Sequence, residues 1–290
     1  MPDTPPPIFF VAVAAIFALG GFVKGVVGLG LPTIAMGLLS LLMPPAQAAA
    51  LLFVPSLVTN VWQIGGPGTD RTPRRTSPFT DPPREWGPAE VHKVGLFAAH
   101  GGPALVPLAL LKRLATLLLG VCAGEWIGAG WLTGSGASLG TLGLGLALIV
   151  YAALGLLKWR LHVKPAHERW LAPWIGLATG LVTAATGVFV IPTVPYLQAL
   201  GMEKEELVRA LGISFLVSTI ALGVVLGSSG ALPATALAGP ALALLPALLG
   251  MGAGQWLRLR VRPETFKTIF FCGLLALGSY LTIRSALYLG

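Results

Sequence analysis

Gly21-Phe22-Val23-Lys24-Gly25-Val26-Val27-Gly28-Leu29-Gly30-Leu31-Pro32 is an apolar run that an unbroken helix would not choose. Glycines 25, 28 and 30 and the proline at 32 interrupt it, removing side-chain restraint and then a backbone donor. A lysine stands inside it, where an ionisable group is costly unless it has a task. The run also returns: Gly180-Leu181-Val182-Thr183-Ala184-Ala185-Thr186-Gly187 lies over Gly21–Gly28 at an offset of 159. A broken, apolar segment that occurs twice sets the frame for everything around it.

The surrounding composition is that of a bilayer protein. Hydrophobic residues make up 55% of the 290, charged residues only 10%, and the mean hydropathy is +0.81. A soluble domain carries about 25% charged residues and could not cover its surface with so few. Apolar stretches of about 18 residues or more, enough to cross a bilayer core of about 30 Å, recur along the chain. In lipid such stretches must be helical, because no water satisfies the backbone. The 38 glycines fit closely packed membrane helices. The net charge of +8 reads as loop charge that fixes orientation, and no nucleic-acid partner is expected. Met1-Pro2-Asp3-Thr4-Pro5-Pro6-Pro7 lacks the basic region of a cleaved signal peptide. Cys122 and Cys272 fall within predicted spans and read as packing residues.

The repeat extends further. Gly120-Val121-Cys122-Ala123-Gly124-Glu125-Trp126 lies over Gly250-Met251-Gly252-Ala253-Gly254-Gln255-Trp256 at an offset of 130, and Tyr151 over Tyr280 at 129. The halves are 1–160 and 161–290. The fall in offset places an insertion at about 66–102 in the first half. Its proline-rich, charged composition cannot bury a core and is expected to form a mobile cytoplasmic loop.

The hydrophobic units are 8–43, 46–64, about 104–131 and 137–158, then about 171–200, 207–227, 235–257 and 266–288. The first of each set is too long for one crossing and is broken in the middle, by Pro192 and Pro195 in the second half. If each were one span, Lys158, Arg160, Lys164 and Arg169 would face the opposite side from Arg258, Arg260, Arg262 and Lys267, against the positive-inside bias. If each is a hairpin, seventeen of the nineteen Lys and Arg residues, all but Lys24 and Arg284, share one side. The expectation is therefore an all-α polytopic membrane protein of two inverted repeats. Each is a broken-helix hairpin plus three transmembrane helices, with about 8 to 10 membrane segments in all. Both termini are predicted to be periplasmic, and the chain to sit in the inner membrane.

Inverted repeats with broken helices are the plan of many secondary transporters, which bind substrate near the midplane between the repeats. Free N–H groups at a break attract anions. Lys24 with Gly25, Gly28 and Gly30 forms one candidate substrate-binding turn; the bland alternative is a lysine snorkelling to the interface. Thr183, Thr186 and Gly187 lie opposite under the repeat, as hydroxyls that can donate to an anion or simply bond within their helix. Asn60 and Gln63 end the second span and either line a cavity or cap it. Glu125, on the Gly120-xxx-Gly124 face, is either a carrier of a coupling proton or a structural acid.

At these residues the chain resembles the TauE/SafE family of membrane permeases, through nearly all of its length outside the insertion. The first motif is Gly21-Phe22-Val23-Lys24-Gly25-Val26-Val27-Gly28-Leu29-Gly30-Leu31-Pro32. The second is Thr183-Ala184-Ala185-Thr186-Gly187-Val188-Phe189-Val190-Ile191-Pro192, followed by Ala210-Leu211-Gly212-Ile213-Ser214-Phe215. The resemblance implies export of sulfite or an organosulfonate, driven by ion gradients, and adds Ser214 to the binding residues. Where many relatives have a glycine-rich second hairpin this chain has Val188-Phe189-Val190, which would narrow one side of the site. Ile213 stands where many have threonine, and the insertion looks foreign to the family.

Three other readings compete with this one. An enzyme lacks support: His92, His100, His162 and His167 lie in or beside loops, no H-E-x-x-H is present, and Gly134-Ser135-Gly136-Ala137-Ser138 reads as a periplasmic turn. No cofactor and no metal are expected. A non-transporting membrane subunit that binds a partner would explain the repeat without midplane chemistry. A channel would need a charged ring or filter that the sequence does not display. The expected partners are a small anion and the lipid bilayer; a homo-oligomer is left open.

Overall fold

The computed structural model describes residues 7–65, 108–132, 137–157, 162–231, 238–258, 260 and 263–289. The expected insertion at 66–102 lies outside them, as do residues 134–136 of the turn expected at 134–138; Ala137 and Ser138 begin a helix instead. The described residues form ten helices and no strand: α1 Pro7–Val27, α2 Leu31–Leu39, α3 Pro45–Gly65, α4 Leu108–Ile127, α5 Ala137–Leu156, α6 Pro165–Thr186, α7 Thr193–Ala199, α8 Lys204–Ser228, α9 Ala238–Arg258 and α10 Pro263–Leu289. Five stretches are long and apolar enough to cross a membrane: Pro7–Val27, Pro45–Ile64, Glu206–Ser228, Gly239–Arg258 and Thr265–Leu287. Trp62, Trp126, Trp131, Trp170 and Trp256 are all exposed at or near helix ends, where amphipathic rings anchor a protein to the bilayer interface. The chain is a multi-pass membrane protein.

Both long units turn back on themselves. Gly28 and Gly30 adopt φ of 84° and 113°, values that an L side chain resists. They end α1 and start α2 in the reverse sense. Leu31 therefore returns beside Gly20, its Cδ1 and carbonyl oxygen both 3.3 Å from where a Cβ on that glycine would lie. In the second unit Gly187 (φ 71°) caps α6, and its N–H donates to the Thr183 carbonyl at 2.7 Å. The Thr179 and Thr193 hydroxyls meet at 2.8 Å across that hairpin. The Val163 N–H donates to the Ala199 carbonyl at 3.0 Å, tying the end of the return limb to the start of α6. At about 1.5 Å per residue, neither α2 nor α7 is long enough to cross a core of about 30 Å.

Glycines decide which helices touch. Along α1 and α9, a Cβ on Gly21, Gly25, Gly250 or Gly254 would lie 2.0–2.3 Å from a backbone oxygen of the facing helix, those of Ala247, Met251, Ala18 and Phe22 in turn. Along α4 and α6, Gly120, Gly124, Gly176 and Gly180 meet the oxygens of Pro173, Leu177, Leu117 and Val121 at 2.1–2.4 Å. Each of these pairs runs parallel. By contrast, Phe53 meets Gly223 and Ile64 meets Gly212, so α3 and α8 run antiparallel. Gly145 meets Thr282 while Gly155 meets Phe271, so α5 and α10 are antiparallel too. The first and second stretches of the chain interlock through these pairs.

At one end of the bundle Arg113 of α4 donates through Nε and Nη2 to Glu168 of α6 at 2.6 and 3.0 Å, and through Nη1 to Glu206 of α8 at 3.3 Å. The starts of these three helices therefore lie side by side.

A Cβ has no room where a backbone oxygen already stands. Gly124→Val and Gly254→Val are each expected to cost about 3 kcal/mol, read as a lowered melting temperature in detergent. Gly252→Val, on the same helix with nothing within 4 Å, should leave that temperature unchanged.

Candidate functional site

The close packing of Gly25 on α9 sets where its neighbour goes. One residue back is about 100° round the helix, and there Lys24 points away from α9 toward α3. Its side chain is 5% exposed. Nζ donates to the Thr59 hydroxyl at 3.0 Å and to the Asn60 side-chain oxygen. It is held in the interior rather than extended to an interface. Ion pairs among the described residues involve Arg113, and no carboxylate accompanies Lys24. An ammonium has three donors, and two have acceptors here.

Thr59 is oriented by its own helix, donating to the Pro55 carbonyl at 2.7 Å, an oxygen one turn back. Asn60 spends its amide on Thr219 of α8, with Nδ2 donating to Oγ1 at 3.3 Å, and Thr219 donates to the Phe215 carbonyl at 2.7 Å. Asn60 and Thr219 differ by 159 positions, the offset of the sequence repeat. A residue bonded to its own counterpart sits where a two-fold relation would pass.

On the other glycine pair, Gly124 packs on α6 and Glu125 turns about 100° away, toward α8. Glu125 is fully buried. One oxygen accepts from the Ser218 hydroxyl; the other has no partner among the described residues.

Between the breaks lies a narrow cavity. Ser56, Thr183, Ser218 and Thr219 give it hydroxyls, Pro32 and Gly187 bring both breaks to its wall, and Phe53, Phe189 and Phe215 supply much of its apolar lining. Phe189 packs edge-on against Phe215, ring centroids 5.4 Å apart, and narrows that side. Lys24 is one step behind this wall, reached through Thr219 and Asn60.

The ten sequence candidates are thus distributed. Thr183 and Gly187 line the cavity; Lys24 and Asn60 bond to each other, and Asn60 reaches the wall through Thr219. The Thr183 and Thr186 hydroxyls donate to the Thr179 and Val182 carbonyls at 2.8 and 2.7 Å, so presenting a proton to an anion requires a hydroxyl rotation. Gly25 and Gly30 face protein: the one packs on α9, the other on Val23 and Phe270. At Gly28 nothing stands within 4 Å of a Cβ position. Ser214 is fully buried and, like Thr33, has a hydroxyl oxygen without a partner among the described residues. Gln63 donates to the Val208 carbonyl at 3.3 Å. Cys122 and Cys272 are both free thiols.

Sequence reasoning missed Ser56, Thr59, Ser218 and Thr219. A signal was present: Thr59 and Ser218, like Asn60 and Thr219, are 159 positions apart, and reading across the repeat from Asn60 would have found Thr219.

The family model for the sulfite exporter TauE/SafE matches residues 107–281. The chain belongs to the TauE/SafE family. This is a family of membrane transporters, and the protein is an exporter-type transport protein of that kind. The matched span holds Glu125, Thr183, Gly187, Ser214, Ser218 and Thr219 and begins after Lys24 and Asn60. No curated protein matches the chain, nor does any solved structure.

Asn60→Leu removes an acceptor from Lys24 and the donor to Thr219. It is expected to destabilise by about 2 kcal/mol, the cost of leaving a charged buried donor short of a partner, seen as a lower melting temperature in detergent. Gln63→Leu, at the helix end, should cost less than half as much.

Proposed function

We propose that the protein is a secondary transporter, an exporter, of a small anion, sulfite or an organosulfonate, across the bacterial inner membrane. The observation that carries this reading is Lys24: buried, held by two neutral acceptors, and, among the described residues, with a donor to spare and no carboxylate beside it. A cation so placed attracts an anion strongly, because the surrounding dielectric is low. The anion binds between the two glycine-rich breaks, where Thr183 and Gly187 line the cavity and Lys24 and Asn60 stand one step behind its wall. Thr186 and Ser214 form the outer part of the site, and Gly25, Gly28 and Gly30 shape the turn that presents Lys24. Glu125 carries the coupling proton.

The two halves, 1–160 and 161–290, act as inverted repeats. Three observations support this. Helices α3 and α8 occupy corresponding places in the repeat and run antiparallel, as do α5 and α10. The parallel pair α1/α9 corresponds to the parallel pair α6/α4 under exchange of the halves. Asn60 bonds to its own counterpart. With the hairpins counted, the basic residues of the described helix starts at Lys112, Lys164 and Lys204 fall on one side, which makes that side cytoplasmic and both termini periplasmic.

The test is efflux of sulfite, sulfoacetate and sulfate from liposomes that carry the purified protein. Selective flux of sulfite or sulfoacetate is expected from the wild type. Lys24→Gln should lower it at least about tenfold, since a lost charge-assisted hydrogen bond is worth about 1.5–3 kcal/mol. Asn60→Asp, which supplies Lys24 with a carboxylate of nearly the same shape, should abolish flux while the protein stays folded. Full flux in Lys24→Gln would sink the reading of Lys24 as the anion's partner.

A further inference from the structure

Two charged side chains are buried among the described residues, Lys24 and Glu125. They lie on different helices, α1 and α4, yet consecutive residues of a single helix reach both. On α8, Ser218 donates to Glu125, and Thr219 accepts from Asn60 at 3.3 Å, while the other end of the Asn60 amide accepts from Lys24. We infer that Thr219 is a positioning residue through which anion binding at Lys24 and proton binding at Glu125 are linked. The inference rests on the proposed function and specifies how its two ligands sense each other.

The physical argument is short. An anion arriving at Lys24 competes with Asn60 and Thr59 for the ammonium N–H groups. When Asn60 is released, its amide no longer holds Thr219 in one position. Ser218 and Thr219 are separated by about 1.5 Å of helix rise and move together. Ser218 is the one donor that reaches Glu125 among the described residues, and the second carboxyl oxygen has none. The ionised form of that acid therefore depends on Ser218 more than the neutral form does, since a buried charge needs its hydrogen bonds. Any change at Ser218 alters the two forms unequally, and linkage makes the effect reciprocal. Among the described residues, no other group around Glu125 competes for the role. The facing part of α6 is Gly180 and Leu181, α8 offers Ser218, and along α4 itself the nearest titratable group is the Cys122 thiol, three residues back. The charged residues Arg113, Glu168 and Glu206 cluster at the starts of the same helices.

The experiment is calorimetric titration of the purified full-length protein with sulfoacetate, whose acidic groups are both ionised at neutral pH. Repeating it in two buffers of different ionisation enthalpy gives the number of protons exchanged per anion bound. The wild type is expected to exchange protons with the buffer, and the sign states whether anion and proton travel together or oppositely. Thr219→Val, which also takes a hydroxyl from the cavity wall, should bind sulfoacetate more weakly and with the proton number per bound anion reduced to near zero; Thr219→Ser should restore that number, and Glu125→Gln should abolish it. A Thr219→Val protein that keeps the wild-type number overturns the link while leaving the anion site standing. Loss of binding in Thr219→Val would make Thr219 a ligand and overturn its positioning role. A folded wild type that binds neither sulfoacetate nor sulfite removes the Lys24 site, and the link with it.

Discussion

Backbone against backbone is the contact on which the rest of this structure depends. Eight glycines, four on each of two helix pairs, face carbonyl oxygens at distances no side chain would permit. Lipid offers no hydrophobic drive to press helices together, so van der Waals contact over small residues does it. The pairs join α1 to α9 and α4 to α6, and so clasp the two stretches of the chain to each other. The same contact aims the chemistry. Lys24 and Glu125 each adjoin a packing glycine, Gly25 and Gly124. Both are thereby turned about 100° from the tight seam toward the α3 and α8 hydroxyls.

What they meet there is a cluster of short polar side chains. Ser56, Thr59, Asn60, Ser218 and Thr219 lie along the facing parts of α3 and α8, which pass antiparallel. Thr59 and Thr219 donate to carbonyls four residues back, which settles their protons inside the helix and leaves their oxygens to accept. That is why a lysine and an asparagine amide can bond to them in a bilayer interior, where an unmatched polar group costs several kcal/mol. The sequence repeats, but its chemistry does not. Lys24 corresponds to Thr183, and Glu125 to Gln255. One base and one acid thus stand in a repeat whose other copies of those places are neutral.

Much of this was legible in the chain itself. Spans, the two breaks and the Gly120-xxx-Gly124 packing face follow from apolar run length and from glycine and proline, because in lipid those residues have few alternative uses. Lys24 and Glu125 announced themselves because ionisable groups are expensive in such runs. The roles of individual glycines were less legible. Gly25 looked like a place for a ligand to approach the backbone, and what approaches it is the Met251 carbonyl of α9. A sequence shows that a glycine leaves room but not what fills it. For Thr183 and Thr186 the sequence left two uses open, donation to an anion or a bond within the helix, and their hydroxyls are bonded to carbonyls of their own helix.

By itself, then, the sequence determined a membrane-embedded, all-helical chain, broken twice at corresponding places, with one lysine and one glutamate inside. These follow from hydropathy, local backbone preference and the cost of burying charge, all of which act within a few neighbouring residues. The tertiary structure alone decided that Lys24 reaches Thr59 and Asn60, that Asn60 meets Thr219, and that Ser218 reaches Glu125. Those bonds join residues 35 to 159 positions apart. Which helix faces which depends on carbonyls nesting against glycines across the bundle, a long-range geometric fit that no local pattern encodes.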